Sequence, residues 1–452
     1  MAARHVLRLP RLCGDGWNAP AERGYAALNA TRVHRKRTPA TLPRVCSIHG
    51  GGRRRSQWSA IAALAVLSGC TSAGRSTSPV LLFPSPPLEP RVQFLTWASG
   101  AEQIEAPKSS LAQFALGGEP LNRMGLEKPY GLVARDGSVF VCDTKIPGVC
   151  RLDFKNQRFS VFGITGPGRL RKPINLVMDP LGYKFVADAQ RKQVVVFGPD
   201  DEYVTAFDVP APCKPVDVAL WENELFVLDN DETCQVVVMD RQTGEVLRTF
   251  GQRGEEPGQF RKPNSLCFSP DGDLYISDTF NWRIQKLTRE GEVVWSRGQA
   301  GRRLGEFGRP RGLRVGPDGI VYVADAATEI IQMLNADGDV LMHFGGPGRI
   351  PGSLVLPATV AVDTTSLPYF KEHIHKDFTA EYLLFVSSQY GRHMVSVYAF
   401  GGFPEGYRLS QSEIASLPSA GEQDGAKSPP APPESDAKQP PGDAPQTEPQ
   451  GD

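Results

Sequence analysis

The sequence has no excess of charge of either sign, little histidine and no long apolar segment. Its 452 residues include 50 Lys and Arg against 50 Asp and Glu, and only 7 His. The balanced charge excludes a protein that binds a polyanion through its overall charge, although local patches remain open. The apolar run that ends at Leu67 has about ten residues and is too short to cross a bilayer as a helix.

That short run has the layout of an export signal. Arg53, Arg54 and Arg55 precede it, and Leu67 begins the closing stretch Leu-Ser-Gly-Cys that ends at Cys70. The arrangement resembles the signal of bacterial lipoproteins, in which the Cys receives a lipid and the chain is cleaved just before it. We therefore predict a lipoprotein signal peptide over residues 53–69 and lipidation at Cys70. A twin-arginine signal and a buried apolar helix are the alternatives.

The segments on either side of this signal, and the end of the chain, differ from the middle in composition. Residues 1–52 are Arg-rich without hydrophobic periodicity, which favours a mis-called or unstructured extension with the true start near residue 45. Residues 70–89 are rich in Ser and Pro and predict a flexible tether. Residues 407–452 predict a disordered, Pro-rich acidic tail. We expect an outer-membrane lipoprotein in the cell envelope of a diderm bacterium, facing the periplasm or the cell surface.

Residues 90–406 repeat one pattern. Five copies of a β-like run end in Asp, at intervals of 45, 41, 49 and 47 residues, and a sixth copy ends in Ser388. The five are Asp143, Asp188, Asp229, Asp278 and Asp325. Each copy reads as four short antiparallel strands, which is the content of a propeller blade. The sequence predicts an all-β, six-bladed β-propeller over 90–406, closed by an N-terminal strand at 91–99 that pairs with 394–400.

The best-preserved unit is "GEVLRTFGQRGEEPGQFRKPNSLCFSPDGDLYISDTFNWRIQKL" at 244–287. It resembles the blades of NHL-repeat β-propellers, in particular those of exported bacterial lipoproteins. The resemblance implies the fold but not the function, because propellers of this kind have many roles. We interpret the repeated Asp as architectural, with its carboxylate accepting hydrogen bonds from the backbone N–H groups of the following turn.

A basic residue followed by Pro opens nearly every unit, and Leu356-Pro357 stands in the sixth. The predicted binding residues are these cations and one neighbour, namely Lys128, Lys172, Lys214, Lys262, Arg309 and Arg311. In a propeller they encircle one mouth of the central channel, where they would attract an acidic partner or a carboxylate ligand. The alternative is that they pair with the repeated Asp residues and otherwise meet solvent.

Histidine placement argues against one enzyme class. Peptidyl-hydroxyglycine α-amidating lyases resemble this chain in their repeats, and that family holds a catalytic zinc with His residues from inner strands. The predicted inner strands contain no His. His373 and His375 lie instead in an insertion at 367–382, where an extended chain could place them with Asp377 around calcium or zinc. An exposed docking element is the favoured interpretation of the insertion, and no cofactor is predicted.

Export would permit disulfide bonds. Cys142 and Cys150 flank one predicted hairpin turn, and Cys213 and Cys234 are predicted on the same side of the ring. Both pairs are therefore predicted disulfides, while Cys267 is expected to be a buried thiol.

The function predicted from these features is a membrane-anchored, extracytoplasmic binding or scaffold propeller. It would engage a protein partner of the envelope through its channel mouth and its blade-six insertion. The alternative is a metal-dependent propeller enzyme, either lyase-like or a lactonase-like hydrolase. No catalytic set is visible, so an enzyme is the less favoured class. Nucleic acid is not an expected partner, and a monomer is expected.

Overall fold

The protein is a six-bladed β-propeller in the computed structural model, which describes residues 80–105 and 124–407. No helix in this part of the chain is long and apolar enough to span a membrane. The predicted extension, signal peptide, lipidated Cys70 and acidic tail lie outside the described residues, apart from Tyr407 at the start of the tail.

Twenty-seven strands and a few short helices make up the described chain. In chain order, the strands are β1 (Leu81–Phe83), β2 (Val92–Ala98), β3 (Pro129–Arg135), β4 (Ser138–Asp143), β5 (Val149–Asp153), β6 (Arg158–Phe162), β7 (Pro173–Met178), β8 (Lys184–Asp188), β9 (Gln193–Phe197), β10 (Tyr203–Asp208), β11 (Pro215–Trp221), β12 (Glu224–Asp229), β13 (Val236–Asp240), β14 (Val246–Phe250), β15 (Gln252–Arg253), β16 (Gln259–Phe260), β17 (Pro263–Phe268), β18 (Leu274–Asp278), β19 (Arg283–Leu287), β20 (Val293–Arg297), β21 (Pro310–Val315), β22 (Val321–Asp325), β23 (Ile330–Leu334), β24 (Val340–Gly345), β25 (Pro357–Asp363), β26 (Thr379–Ser388) and β27 (Val395–Gly402). The helices are α1 (Ala101–Ile104) and three 3₁₀ turns at Thr279–Asn281, Leu367–Tyr369 and Lys371–His373.

Each blade is a four-stranded antiparallel meander, except the last. Blades one to five are β3–β6, β7–β10, β11–β14, β17–β20 and β21–β24, and blade six has the order β25, β26, β27, β2, β1. The predicted closure is confirmed, because β2 pairs with β27 from Val92 opposite Phe400 to Ala98 opposite Val395. The blade therefore joins both ends of the described chain and leaves no open gap in the ring.

The predicted tether is too long at its C-terminal end. Strand β1 pairs with β2, with Leu81 opposite Phe94 and Phe83 opposite Val92. Leu81 and Phe83 are buried in the same core cluster as Phe344 of blade five. Apolar burial of this kind contributes roughly 1.5–3 kcal/mol per side chain, so this segment belongs to the propeller rather than to a flexible linker.

The core lies between neighbouring blades, because alternate residues of each strand face opposite sides of its sheet. In β18, Leu274 and Ile276 pack toward blade three, in the cluster that holds Phe226. Tyr275 packs toward blade five, in the cluster that holds Val323. The strand sequence "LYISD" therefore buries both of its faces, which is what a blade between two others requires.

The six inner strands form a closed ring around the axis. Each of β3, β7, β11, β17, β21 and β25 contacts the next, and β25 contacts β3. Glycine permits the closest approaches. A Cβ added at Gly131 would lie 2.4 Å from Cα of Asn175, and one added at Gly312 would lie 2.4 Å from Cα of Thr359. Any side chain at either position would push two blades apart.

The ring has two faces that the strand directions define. On the face where the inner strands begin, Pro129, Pro173, Pro215, Pro263 and Pro310 pair with the five repeated Asp residues, and Pro357 pairs with Ser388. We call this the Asp face. The inner strands end on the opposite side, which we call the far face.

The blade-six insertion lies on the far face and packs against blade one. Phe370 is buried between Phe154 of blade one and Phe385 of blade six, with ring centroids 4.8 and 5.8 Å away. The Tyr369 hydroxyl donates to Asp136 Oδ1 at 2.8 Å. Gln93 Nε2 donates to the carbonyl of His373 at 2.9 Å. The segment predicted to bind a partner thus packs against blades one and six of the propeller itself. It lies on the face opposite to the one where the inner strands begin.

The predicted disulfides are corrected by the sheet register. Cys150 lies opposite Val141 while Cys142 lies opposite Val149, so the two thiols point to opposite faces of blade one. They belong to separate core clusters. Cys213 and Cys234 lie in connections rather than in strands, and they too belong to separate core clusters. All four, and Cys267, are buried free thiols.

Candidate functional site

The repeated Asp residues anchor the loops of the Asp face. Asp188 is fully buried, and its carboxylate accepts backbone N–H bonds from Arg171 at 2.6 Å, Lys172 at 3.0 Å, Gln190 at 3.1 Å and Arg191 at 3.0 Å. Asp143 likewise takes four backbone N–H bonds, and Asp229, Asp278 and Asp325 share the pattern with fewer backbone donors. The carboxylate thus links two segments of its blade, the residues that lead into the inner strand and the turn that follows the second strand.

This arrangement leaves most cations of the predicted ring without a carboxylate partner among the described residues. The N–H of Lys128, Lys172, Lys214 and Arg309 donates to the repeated Asp of its blade, at 2.7 to 3.0 Å. Their charged groups have no acidic partner within 4.0 Å among the described residues, whereas Lys262 pairs with Asp231 at 3.1 Å. Most of the predicted cation ring is therefore available to a ligand.

A side-chain bridge crosses the mouth of the channel. Tyr130 is the second residue of blade one's inner strand, and its hydroxyl donates to Asn264 Oδ1 of blade four at 3.3 Å. Blades one and four face each other across a ring of six, so this contact spans the axis. Asn264 Nδ2 donates in turn to Thr279 Oγ1 at 2.7 Å, and that hydroxyl donates to the carbonyl of Pro310 at 2.6 Å.

Arg311 lies beside this bridge. Its residue is only 7% exposed, and its Cζ lies 5.9 Å from the centre of the Tyr130 ring. One guanidinium nitrogen donates to Gln389 Oε1 at 2.7 Å. No carboxylate lies within 4.0 Å of it in the part of the chain that the structure describes. A buried cation without a counter-ion is costly, so this residue is the strongest indication of an anion site.

Burial affects the titration of both groups at the mouth. It raises the pKa of the Tyr130 phenol, a shift that the positive charge of Arg311 opposes. It lowers the pKa of Arg311, although a guanidinium stays charged in proteins. At neutral pH the mouth therefore presents a neutral O–H donor beside a permanent positive charge.

Serine hydroxyls fix the backbone of the two central residues. Ser387 Oγ donates to the carbonyl of Tyr130 at 2.6 Å. Ser277 Oγ donates to the carbonyl of Arg311. Both serines come from the second strand of the preceding blade, one residue before the repeated Asp position. The mouth residues are thus placed by neighbouring blades and not by their own strands alone.

Below the mouth, one carboxylate lies among the inner strands. Asp217 accepts hydrogen bonds from Ser265 Oγ at 2.7 Å and from the N–H groups of Leu266 and Val218 at 3.0 and 2.8 Å. Arg314 lies 3.8 Å away. Burial raises the pKa of Asp217, and Arg314 opposes that rise. Because its oxygens accept hydrogen bonds from blades three and four and form an ion pair with Arg314 of blade five, this residue links the inner strands.

The two predicted metal ligands lie apart from this site, in the far-face insertion. His373 ends a 3₁₀ turn, with Nε2 3.8 Å from Glu372. The ring of His375 packs against Phe403, and its Nδ1 accepts the N–H of Asp377. No group of three His, Cys, Asp or Glu side chains with metal-binding geometry occurs in residues 80–105 and 124–407. The metal at His373 and His375 remains a prediction.

The two faces differ in charge. Asp-face connections contain basic stretches such as "GRLRK" (168–172), "QRK" (190–192) and "GRR" (301–303). Far-face turns contain acidic stretches such as "GPDDE" (198–202), "SPDGD" (269–273) and "NADGD" (335–339). Although the formal net charge is +0, the charge is therefore distributed unevenly between the two faces. The basic face surrounds the mouth.

Sequence reasoning missed Tyr130, Asn264 and Gln389. The first two occupy the same place in their units as Arg311, one residue after the Pro of the basic-Pro pair. Gln389 follows Ser388, the sixth blade's substitute for the repeated Asp. Comparing the units at the position after Pro would have singled out these polar residues, because the other three blades have Ile174, Val216 and Ala358 there.

No family model matches the sequence. Several solved structures are similar to the propeller at low identity. Virginiamycin B lyase from Staphylococcus aureus is 14% identical over 62% of this chain and 86% of that chain, with a TM-score of 0.42. A Bacteroides thetaiotaomicron protein of unknown function is 16% identical over 68% and 75%, with a TM-score of 0.48. Regucalcin from Agrobacterium tumefaciens, a calcium-binding protein, is 15% identical over 63% and 95%, with a TM-score of 0.44. The likeness is one of fold alone.

Proposed function

We propose that this protein is a binding propeller that recognises an acidic group of a partner at the mouth of its Asp face. The observation that carries the proposal is Arg311, which is buried at the mouth and has no acidic partner among the described residues. Leaving such a charge without a counter-ion costs free energy, which the Gln389 amide and the Tyr130 ring offset only in part. A carboxylate from a partner would offset that cost.

The groups around Arg311 suit a carboxylate. A guanidinium can donate two parallel bonds to one carboxylate, and only one of its bonds is used by Gln389. The Tyr130 hydroxyl is a neutral donor whose present bond to Asn264 is 3.3 Å long. Lys128, Lys172, Lys214 and Arg309 add a surrounding positive potential, which speeds the approach of an acidic surface.

The partner and the location are proposed from the sequence features alone. The chain would be an NHL-type propeller held to a membrane of the cell envelope by a lipid on Cys70, and its partner would be an envelope protein. Of the two contact regions predicted, the mouth is the one we retain. The insertion lies on the far face, and its Phe370 and Phe378 are buried within the propeller.

The proposal is tested by capturing the tagged full-length protein from native membranes in mild detergent and measuring both co-purifying proteins and bound metal. Three forms are compared, namely wild type, Arg311→Met and Arg349→Gln. Arg349 is an exposed arginine on the same face, away from the mouth. We expect a stoichiometric partner with wild type and Arg349→Gln and its loss with Arg311→Met.

Two results would contradict the proposal. A partner that stays bound to Arg311→Met would show that the mouth is not the contact. A protein without a partner that carries tightly held calcium or zinc would instead favour the metal-dependent enzyme.

Labelling with a radioactive fatty acid tests the anchor separately. The wild type should take up the label, and Cys70→Ser should not.

A further inference from the structure

A polar cleft of about 680 Å³ opens on the Asp face between blades one and two. Its walls are the connection between these blades and the turns after strand two of each. Arg169, Arg171 and Arg191 line it together with Gln190 and Gln193, and none of its lining residues is acidic or aromatic. It is separate from the mouth residues Tyr130 and Arg311.

The arginines of the cleft are held in place by their own loops. Arg191 Nε donates to Gln193 Oε1 at 2.7 Å, and its Nη1 donates to the carbonyls of Pro167 and Arg169 at 3.1 and 2.7 Å. Leu170 is completely buried between Arg169 and Arg171. Arg169 and Arg171 on either side of it are exposed and line the cleft.

Asp188 fixes both walls without neutralising them. Its carboxylate accepts the backbone N–H groups of Arg171 and Arg191, which lie in different walls of the cleft. None of the three guanidinium groups has a carboxylate within 4.0 Å in the described chain. Three unpaired cations in one cleft repel one another unless an anion joins them.

Two of the equivalent connections supply their own acid, whereas those at 209–214 and 346–356 contain neither Asp nor Glu. Between blades three and four, Arg261 pairs with Glu255 at 2.9 Å. Between blades four and five, Glu306 accepts the N–H groups of Arg302 and Arg303 at 3.1 and 3.0 Å. The connection between blades one and two, "GITGPGRLRK" at 163–172, contains no Asp or Glu. An anion from outside would take the place of that missing side chain.

We propose that this cleft binds the phosphate group of a polar small molecule such as a sugar phosphate. Planar guanidinium groups match the oxygens of a phosphate in paired hydrogen bonds. The volume lies in the range of small-molecule sites and exceeds what a free phosphate needs. The absence of an aromatic platform among the lining residues disfavours a nucleobase, while the Gln190 amide and the exposed backbone suit hydroxyl groups.

The test is calorimetric titration of the full mature chain at low ionic strength with glucose 6-phosphate, inorganic phosphate and glucose. The main variant is Arg169→Gln with Arg171→Gln. Neither of these exposed side chains has a partner in the described structure, so the fold is retained. Arg349→Gln is the matched control on the same face, and Arg311→Met shows whether the mouth contributes.

We expect glucose 6-phosphate to bind more tightly than inorganic phosphate and glucose not to bind. The double variant should weaken binding at least about tenfold, the loss of one or more charge-assisted bonds, while both control variants stay within about twofold. Absence of binding by either phosphate, or equal weakening in Arg349→Gln, would overturn the site. Equal affinity for the ester and the free anion would overturn the small-molecule assignment. Since Arg311→Met is expected to retain this binding, failure here is distinct from failure at the mouth.

Discussion

The two faces of the propeller use charged residues in different ways. On the far face, cations are paired, as in Arg241 with Asp179 at 2.5 Å, Lys155 with Asp136 at 2.7 Å and Lys286 with Asp273 at 2.9 Å. On the Asp face the repeated Asp residues accept mainly backbone N–H groups, and most cations of the predicted ring have no acidic partner among the described residues. The difference separates charge that holds the molecule together from charge that is free to meet another molecule.

The largest expected effect comes from breaking a far-face pair. In Arg241→Met, Asp179 would remain buried without its cation, so we expect the free energy of unfolding to fall by about 3 kcal/mol. Urea unfolding measures this. The matched change on the Asp face, Lys172→Met, should alter the stability by less than about 0.5 kcal/mol. Similar losses in both variants would remove the distinction between the faces.

Removing the Asp188 carboxylate on the Asp face should also destabilise the protein, because this residue is structural. Asp188→Ala would leave four backbone N–H groups without their acceptor, some of which water would satisfy. We expect a loss of about 2 to 3 kcal/mol. Ser388→Ala offers the internal control, because Ser388 Oγ accepts only one backbone N–H, from Val355 at 3.3 Å, and its loss should cost about 1 kcal/mol. An unchanged unfolding midpoint for Asp188→Ala would contradict the architectural role.

A smaller effect of the opposite sign is expected at the mouth. Arg311→Met removes a buried charge without leaving a carboxylate unpaired, so stability should be unchanged or should rise by up to about 1 kcal/mol. Thermal and urea unfolding without any ligand measure this. A loss of 2 kcal/mol or more would show that Arg311 serves the fold, as the far-face cations do.

The smallest effect concerns His393, in the strand-two-to-three turn of blade six. Burial lowers its pKa below the ordinary value of about 6.5, and Arg392 lowers it further. The neutral ring is favoured in the folded state, so its contribution to stability is present above pH 6.5 and is lost as pH falls through the folded pKa. NMR titration should show a higher pKa for His393 in Arg392→Gln. An unchanged value would show that the positive charge of Arg392 does not affect the pKa of His393.

The sequence predicts the fold well because the repeated Asp residues mark the blades at nearly regular intervals. The spacing of Asp143 to Asp325 gives five blades, Ser388 gives the sixth, and the alternation in 91–99 gives the closing strand. The predicted Cys142–Cys150 disulfide fails because a shift of one residue in the register moves a side chain to the other face of a sheet. The contact of Tyr130 with Asn264 could not be predicted, since it joins two units across the ring and depends on the distance between opposite blades.

Closure in blade six has a consequence for biosynthesis. The Ser99 hydroxyl donates to the carbonyl of Arg392, 293 residues along the chain, and β2 has only the three-residue strand β1 as a partner until β27 exists. A ribosome must therefore finish nearly the whole body before the ring can close, and contacts of such separation slow folding. Until then β2 and β26 expose unpaired edges that invite association with other chains. A stop codon before Val395 should accordingly yield aggregates rather than a five-bladed remnant.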